Sequence, residues 1–86
     1  MMNQLSATRV LVGRFGEVLR DEEYVPGKTL LRDALLASDA SLSQLEAETL
    51  CETLESVGVI RFMQASRGGP GWTIDARALE GGGAQR

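Results

Sequence analysis

The hydrophobic pattern of the chain changes its period once, near Gly58. Before it, Ala47, Leu50, Cys51, Leu54 and Val57 fall within a narrow arc when projected at ~100° per residue, as a helix with one buried face requires. Gly58 is placed to end this helix as its C′ residue. Two overlapping capping boxes compete to start it, Ser41 with Gln44 and Ser43 with Glu46. Beyond Gly58, the run Val59, Ile60, Arg61, Phe62, Met63, Gln64 is β-branched and aromatic, and Trp72, Thr73, Ile74, Asp75, Ala76 alternates strictly, so two strands are expected. Between them Ser66, Arg67, Gly68, Gly69, Pro70 and Gly71 form a turn-rich connection, longer than a minimal two-residue hairpin. A hairpin alone is marginal in water, so Trp72 and Ile74 are expected to pack on the helices.

Upstream, a first helix is expected from about Ser6 to Arg20, capped by Ser6, with Leu11, Val12, Phe15, Val18 and Leu19 at helical spacing. Gly13 and Gly16 weaken it, and Val10, Leu11, Val12 is β-prone, so a strand and turn stay open here. The two glycines either let another element approach closely or are merely tolerated small residues, and the second reading is the simpler. Asp21 to Gly27 reads as a turn because Pro26-Gly27 presets it; Tyr24, after Asp21, Glu22 and Glu23, reads either as a docking point on an acidic loop or, more simply, with Val25 as the anchor of that surface loop on the core. Thr29 then caps a short helix with Leu31, Ala34 and Leu35 on one face and Leu30 and Leu36 widening it. Ser38 to Ser41 connects it to the helix that precedes Gly58.

Helix, turn, short helix, polar turn, longer helix, "ESVGVIRF", a glycine-rich loop and "GWTID" follow one another in an order that resembles the winged helix-turn-helix superfamily. Residues 29–57 would be its two-helix unit and 59–76 its wing; "LCETLESVGVIRF", Leu50 to Phe62, is the sharpest local likeness. The resemblance implies a small α+β domain of three helices followed by a two-stranded hairpin wing.

Length and composition narrow the rest. Eighty-six residues, 43% hydrophobic and 24% charged, suit one domain, assigned to residues 1–80, with the Gly-rich 81–86 expected to be a disordered tail. Cys51 has no partner for a disulfide, and neither a signal peptide nor a stretch of ~20 apolar residues is visible, so a cytoplasmic location without membrane attachment is expected. Histidine is absent, which removes the common nucleophile-activating arrangements and leaves no recognisable metal-ligand spacing. We therefore expect no enzyme, cofactor or metal. Cys51, on the inward arc, reads as a buried hydrophobe rather than a redox centre.

The net charge of −3 is unevenly spread: residues 29–58 carry one cation against six acids, and residues 59–86 four cations against two. In DNA-binding members of the superfamily the longer helix enters the major groove. Here its outward positions are Leu45, Glu48, Thr49, Glu52 and Glu55, and no Lys or Arg occurs between Asp33 and Ile60. Duplex DNA is held through cations that displace its counterions, so such a helix is poorly suited to it. A DNA mode would have to use Arg9, Arg14, Arg61 and Arg67, provided that the fold gathers them on one side. The same positions suit a protein partner with a basic surface, contacted by Leu45, Glu48, Thr49 and Glu52. The plainer alternative is a solvated acidic face, with Leu45 packed inward. A homodimer through Val10, Leu11 and Val12 is a further expectation. Two other features weigh towards structure: Arg67 to Gly71 as a hairpin turn rather than a phosphate cradle, and Trp72 as core rather than a stacking platform.

Overall fold

The computed structural model describes residues 2–65 and 68–79 and shows a small α+β domain with the element order α1 (Gln4–Phe15), β1 (Val18–Arg20), α2 (Tyr24–Ser38), α3 (Gln44–Ser56), β2 (Ile60–Ala65) and β3 (Gly69–Ile74). A helical turn over residues 77–79 follows β3. The expected hairpin is present, but the sheet has three strands, not two, in the antiparallel order β1-β3-β2. The 81–86 tail and Arg67 lie outside the described residues.

The third strand comes from residues assigned above to the end of the first helix. That helix starts at the side chain of Asn3, which accepts from the Ser6 N–H at 2.8 Å, so Asn3 and not Ser6 is the cap. It ends at Gly16, whose N–H still reaches the Val12 carbonyl and whose φ of 74°, a conformation that glycine tolerates, turns the chain out of the helix. Val18–Arg20 then pairs with β3, Leu19 opposite Trp72. The β-prone run Val10, Leu11, Val12, for which a strand stayed open, is helical, and the strand falls instead on residues read as the end of the helix.

Helix α2 begins at Tyr24, not after Thr29. Pro26 is its third residue, where the N–H would have no intrahelical acceptor, so its absence costs nothing. Gly27 makes the first helical bond, to the Glu23 carbonyl at 2.9 Å. The Pro-Gly pair that reads as a turn is thus the first turn of a helix. For α3, the second capping box is the one formed: Ser43 Oγ accepts from the Glu46 N–H (3.1 Å) and Glu46 accepts from the Ser43 N–H (2.8 Å), while Ser41 bonds Asp39 instead. At the other end the Gly58 N–H reaches the Glu55 carbonyl and the Val59 N–H the Leu54 carbonyl, a Schellman closure with Gly58 at φ 85°.

The core lies between the helices and the inner face of the sheet: Ala7, Leu11, Leu31, Leu35, Ala47, Cys51 and Leu54 against Ile60, Trp72 and Ile74. Leu42, in the connection between α2 and α3, is buried as well. Of the run named above for a dimer surface, Leu11 is fully buried, and Val10 and Val12 are half-buried against the core. Trp72 is fully buried, its indole N–H donating to the Tyr24 carbonyl at 3.3 Å. Close approach occurs at neither Gly13 nor Gly16, where an added Cβ would meet nothing, but at Gly27, where it would come within 2.6 Å of Trp72 Nε1.

Two alanine substitutions test this packing. Gly27→Ala forces a methyl into a buried indole and should destabilise the domain by roughly 1–3 kcal/mol. Gly13→Ala, in an open helical position, should stabilise it by up to ~1 kcal/mol. Urea unfolding of the two variants beside the parent reads both signs.

Candidate functional site

Helices α2 and α3 diverge at the surface and enclose an open groove of about 350 Å³. One wall carries Tyr24, Val25, Lys28, Thr29 and Arg32 from α2, and the other Leu45, Glu48, Thr49 and Glu52 from α3, with Cys51 beneath. The four residues singled out on α3 therefore share one surface. Leu45 is 71% exposed and does not pack inward. With Thr49 it also borders a second hollow lined by Met2, Leu42 and Leu50, so it stands as a ridge between the two.

The expected acidic face is corrected by its neighbour. Lys28 Nζ lies 2.6 Å from Glu52 and 2.8 Å from Glu55, and Arg32 3.4 Å from Glu48 while also pairing with Asp33 at 2.8 Å. The cations missing from α3 are supplied across the interhelical seam by α2. Tyr24 joins the network: its hydroxyl donates to Glu55 (2.9 Å), accepts from Lys28 (3.3 Å), and its ring packs against Phe62 and Trp72. The carboxylates still outnumber the cations along the rim, with Glu22 and Glu23 just before Tyr24 adding to them.

Of the α2 wall, the sequence reading singled out Tyr24 and Val25, which it placed in a loop, and gave Lys28 and Arg32 no role. Tyr24, Lys28 and Arg32 recur every fourth residue, the spacing that stacks side chains on one helical face. That signal becomes readable only if the helix is allowed to run through Pro26 and Gly27.

Burial pushes the Cys51 thiol up to about 11, with only partial relief from the Lys28 charge. It is an inert neutral thiol at pH 7. Burial also pushes the Glu55 carboxyl upward, but the hydrogen bonds from Lys28 and then Tyr24 outweigh it and hold the group below its ordinary 4.5. For Lys28 itself, desolvation favours the neutral amine, and the bonds to Glu52 and Glu55 reverse this and raise its pKa.

The arginines named for a DNA mode are not gathered in the same way. Arg9 and Arg14 are exposed on α1, but five residues apart on a helix means roughly 140° of rotation, so they do not form one stripe. Arg61 is exposed on the outer face of the sheet, opposite Thr73 and beside Asp75 and Arg77 in a shallow hollow. Arg67 lies outside the described residues. No group of three or more Asp, Glu or Cys side chains suited to a metal occurs among the described residues. No described helix is long and apolar enough to cross a membrane. Compared with family models, with curated proteins and with solved structures, the chain matches none.

The network has a pH signature. A carboxyl held low in the folded state contributes stability above its unfolded value, which is lost as pH falls through the folded one. The parent should therefore lose stability as pH falls through and below the ordinary 4.5 of a glutamate, and Lys28→Met should show a shallower loss over that range because Glu55 has lost its main partner. At pH 7 the variant should be less stable by roughly 1 kcal/mol, as a partly exposed ion pair allows. Thermal melts of both proteins at a series of pH values give the comparison.

Proposed function

We propose that this chain is a non-catalytic interaction module of the winged-helix type, an accessory or regulatory subunit whose α2–α3 groove takes a basic segment of another protein. The observation that carries the reading is that Val25 and Leu45, the two most exposed large apolar side chains among the described residues at 67% and 71%, stand on opposite walls of one groove. Exposed apolar groups on both walls of one concave surface are suited to holding apolar side chains of a bound segment. The surplus of carboxylates around them favours cations flanking those side chains. The winged-helix assignment is supported by tandem helices, Tyr24–Ser38 and Gln44–Ser56, followed directly by the β2–β3 hairpin.

Such a groove works by addition rather than exchange. Lys28 and Arg32 already have carboxylate partners at 2.6–3.4 Å, so an arriving anion would have to displace one. A cation meets Glu52, whose side chain is 69% exposed, without breaking the inner pair with Glu55. Apolar burial supplies affinity, and charge supplies orientation and rate of encounter.

Selection from a display library of random peptides tests this. Recovered sequences should carry Lys or Arg around one or two large apolar residues, and their affinity should fall at least tenfold, ~1.4 kcal/mol, on Leu45→Asp. It should also weaken as salt rises. Peptides that bind Leu45→Asp equally well would overturn the groove. Tighter binding of a random DNA duplex than of any recovered peptide, weakened by Arg61→Ala, would favour a nucleic-acid role instead.

A further inference from the structure

The hollow beyond Leu45 gives the groove a second half. Leu45 and Thr49, one turn apart on α3, line both the α2–α3 groove and the neighbouring hollow of about 310 Å³, whose other walls are Met2, Leu42, Glu46 and Leu50. Residues four apart on a helix form a continuous ridge along its surface. Here both residues of the ridge are exposed, and a depression lies on either side of it. The groove side carries Val25 with the carboxylates of Glu48 and Glu52. On the other side Met2 and Leu50 pack against the core without being fully covered, and Leu42 is buried beside them.

No strand borders the groove. Every residue lining it belongs to α2 or α3, and a helix past its first turn bonds its own N–H and C=O groups internally. An extended segment laid there would find no run of backbone donors and acceptors to pair with, and each of its own groups left dry and unpaired costs free energy. A helix arrives with its backbone already bonded.

We propose that the occupant of the groove is a basic amphipathic α-helix of another protein, which crosses α3 over the Leu45–Thr49 ridge and lays apolar side chains on both sides of it. The proposal rests on the groove reading above and adds the partner's secondary structure and a second contact. Ridge-into-groove packing sets the exposed row of one helix between two rows of the other. Side chains three or four residues apart on the partner therefore fall on opposite sides of the ridge, one against Val25 and the other against Met2 and Leu50. Charge sets the flanks. Glu46 on one side and Glu48 and Glu52 on the other border the two contacts with carboxylates. Glu46 spends one bond on the Ser43 N–H and keeps acceptor sites for a cation. Lys28 and Arg32, the cations of the groove wall, are already held by carboxylates. A helix with Lys or Arg bordering its apolar face complements this surface, and an acidic one does not.

The test uses a synthetic peptide of about 16 residues carrying the strongest sequence from the library selection, a length at which a free helix is marginal. Its titration into the parent should raise the helical circular dichroism signal above the sum of the separate components. Proline at a central position of the peptide should weaken binding by about tenfold or more. Met2→Asp, which precedes the Asn3 cap and leaves the groove walls untouched, should weaken it by about fivefold. Binding with no gain in helicity, or with the proline tolerated, identifies an extended occupant and overturns the proposal; the groove reading still stands in that case if Leu45→Asp weakens the same peptide. An unchanged affinity for Met2→Asp also overturns it. If Met2→Asp disturbs the fold, the helicity and proline results decide. A parent that self-associates, and becomes monomeric on Leu45→Asp, assigns the surface to a second copy and overturns the proposal. A selection that returns no basic, apolar peptides removes the groove reading and this inference with it.

Discussion

The seat of Trp72 is the constraint on which the other elements depend. It occupies the middle strand, is fully buried, and its single donor is satisfied by the Tyr24 carbonyl in the first turn of α2. Removing a buried tryptophan side chain costs ~3–5 kcal/mol, a large share of the ~5–15 kcal/mol that holds any small domain together. Gly27 is the reason that the indole fits, because a methyl there would occupy the space of the ring. Strand β3 and the start of α2 are therefore fixed to each other. Leu19 on β1 and Phe62 on β2, opposite Trp72 in the register, set the two flanking strands around it.

Fixing the start of α2 also fixes the charges. Tyr24 turns its carbonyl to the indole and its hydroxyl to Glu55, linking core and surface through one residue. One and two turns further along, Lys28 and Arg32 come level with Glu52, Glu55 and Glu48 in reverse order, as helices running in opposite directions require. A tally of charge along the chain separates these groups into a balanced beginning and an acidic middle. In space they form one network, and the surface presented to a partner is less acidic than the linear tally implies.

Much of the second half of the fold was legible because its signals are local. The helix before Gly58 has its apolar arc, its capping box and its glycine closure within sixteen residues of one another, and the alternation around Trp72 and Ile74 points both inward. The position of Leu45 outside that arc was readable for the same reason. Strand β1 was not, since three residues are too few to show a period of two and their partner lies some fifty residues away. The start of α2 was hidden by chemistry that is ambiguous by nature: proline and glycine make turns, but proline is equally at home in the first turn of a helix. What decided between them was the indole that Gly27 admits, and no local pattern contains that contact. The same misplacement concealed half of the groove, because Tyr24 and Val25 read as loop and Lys28 as its end.

The pairing of charges along its walls decides what a ligand can gain from the groove. At the groove, every charged group on the walls has a partner within 3.4 Å, so a ligand gains little from the charges unless apolar contact brings it close first. The side chains that can supply that contact are Val25, Leu45 and the ring of Tyr24, the exposed large apolar groups on the walls of the groove.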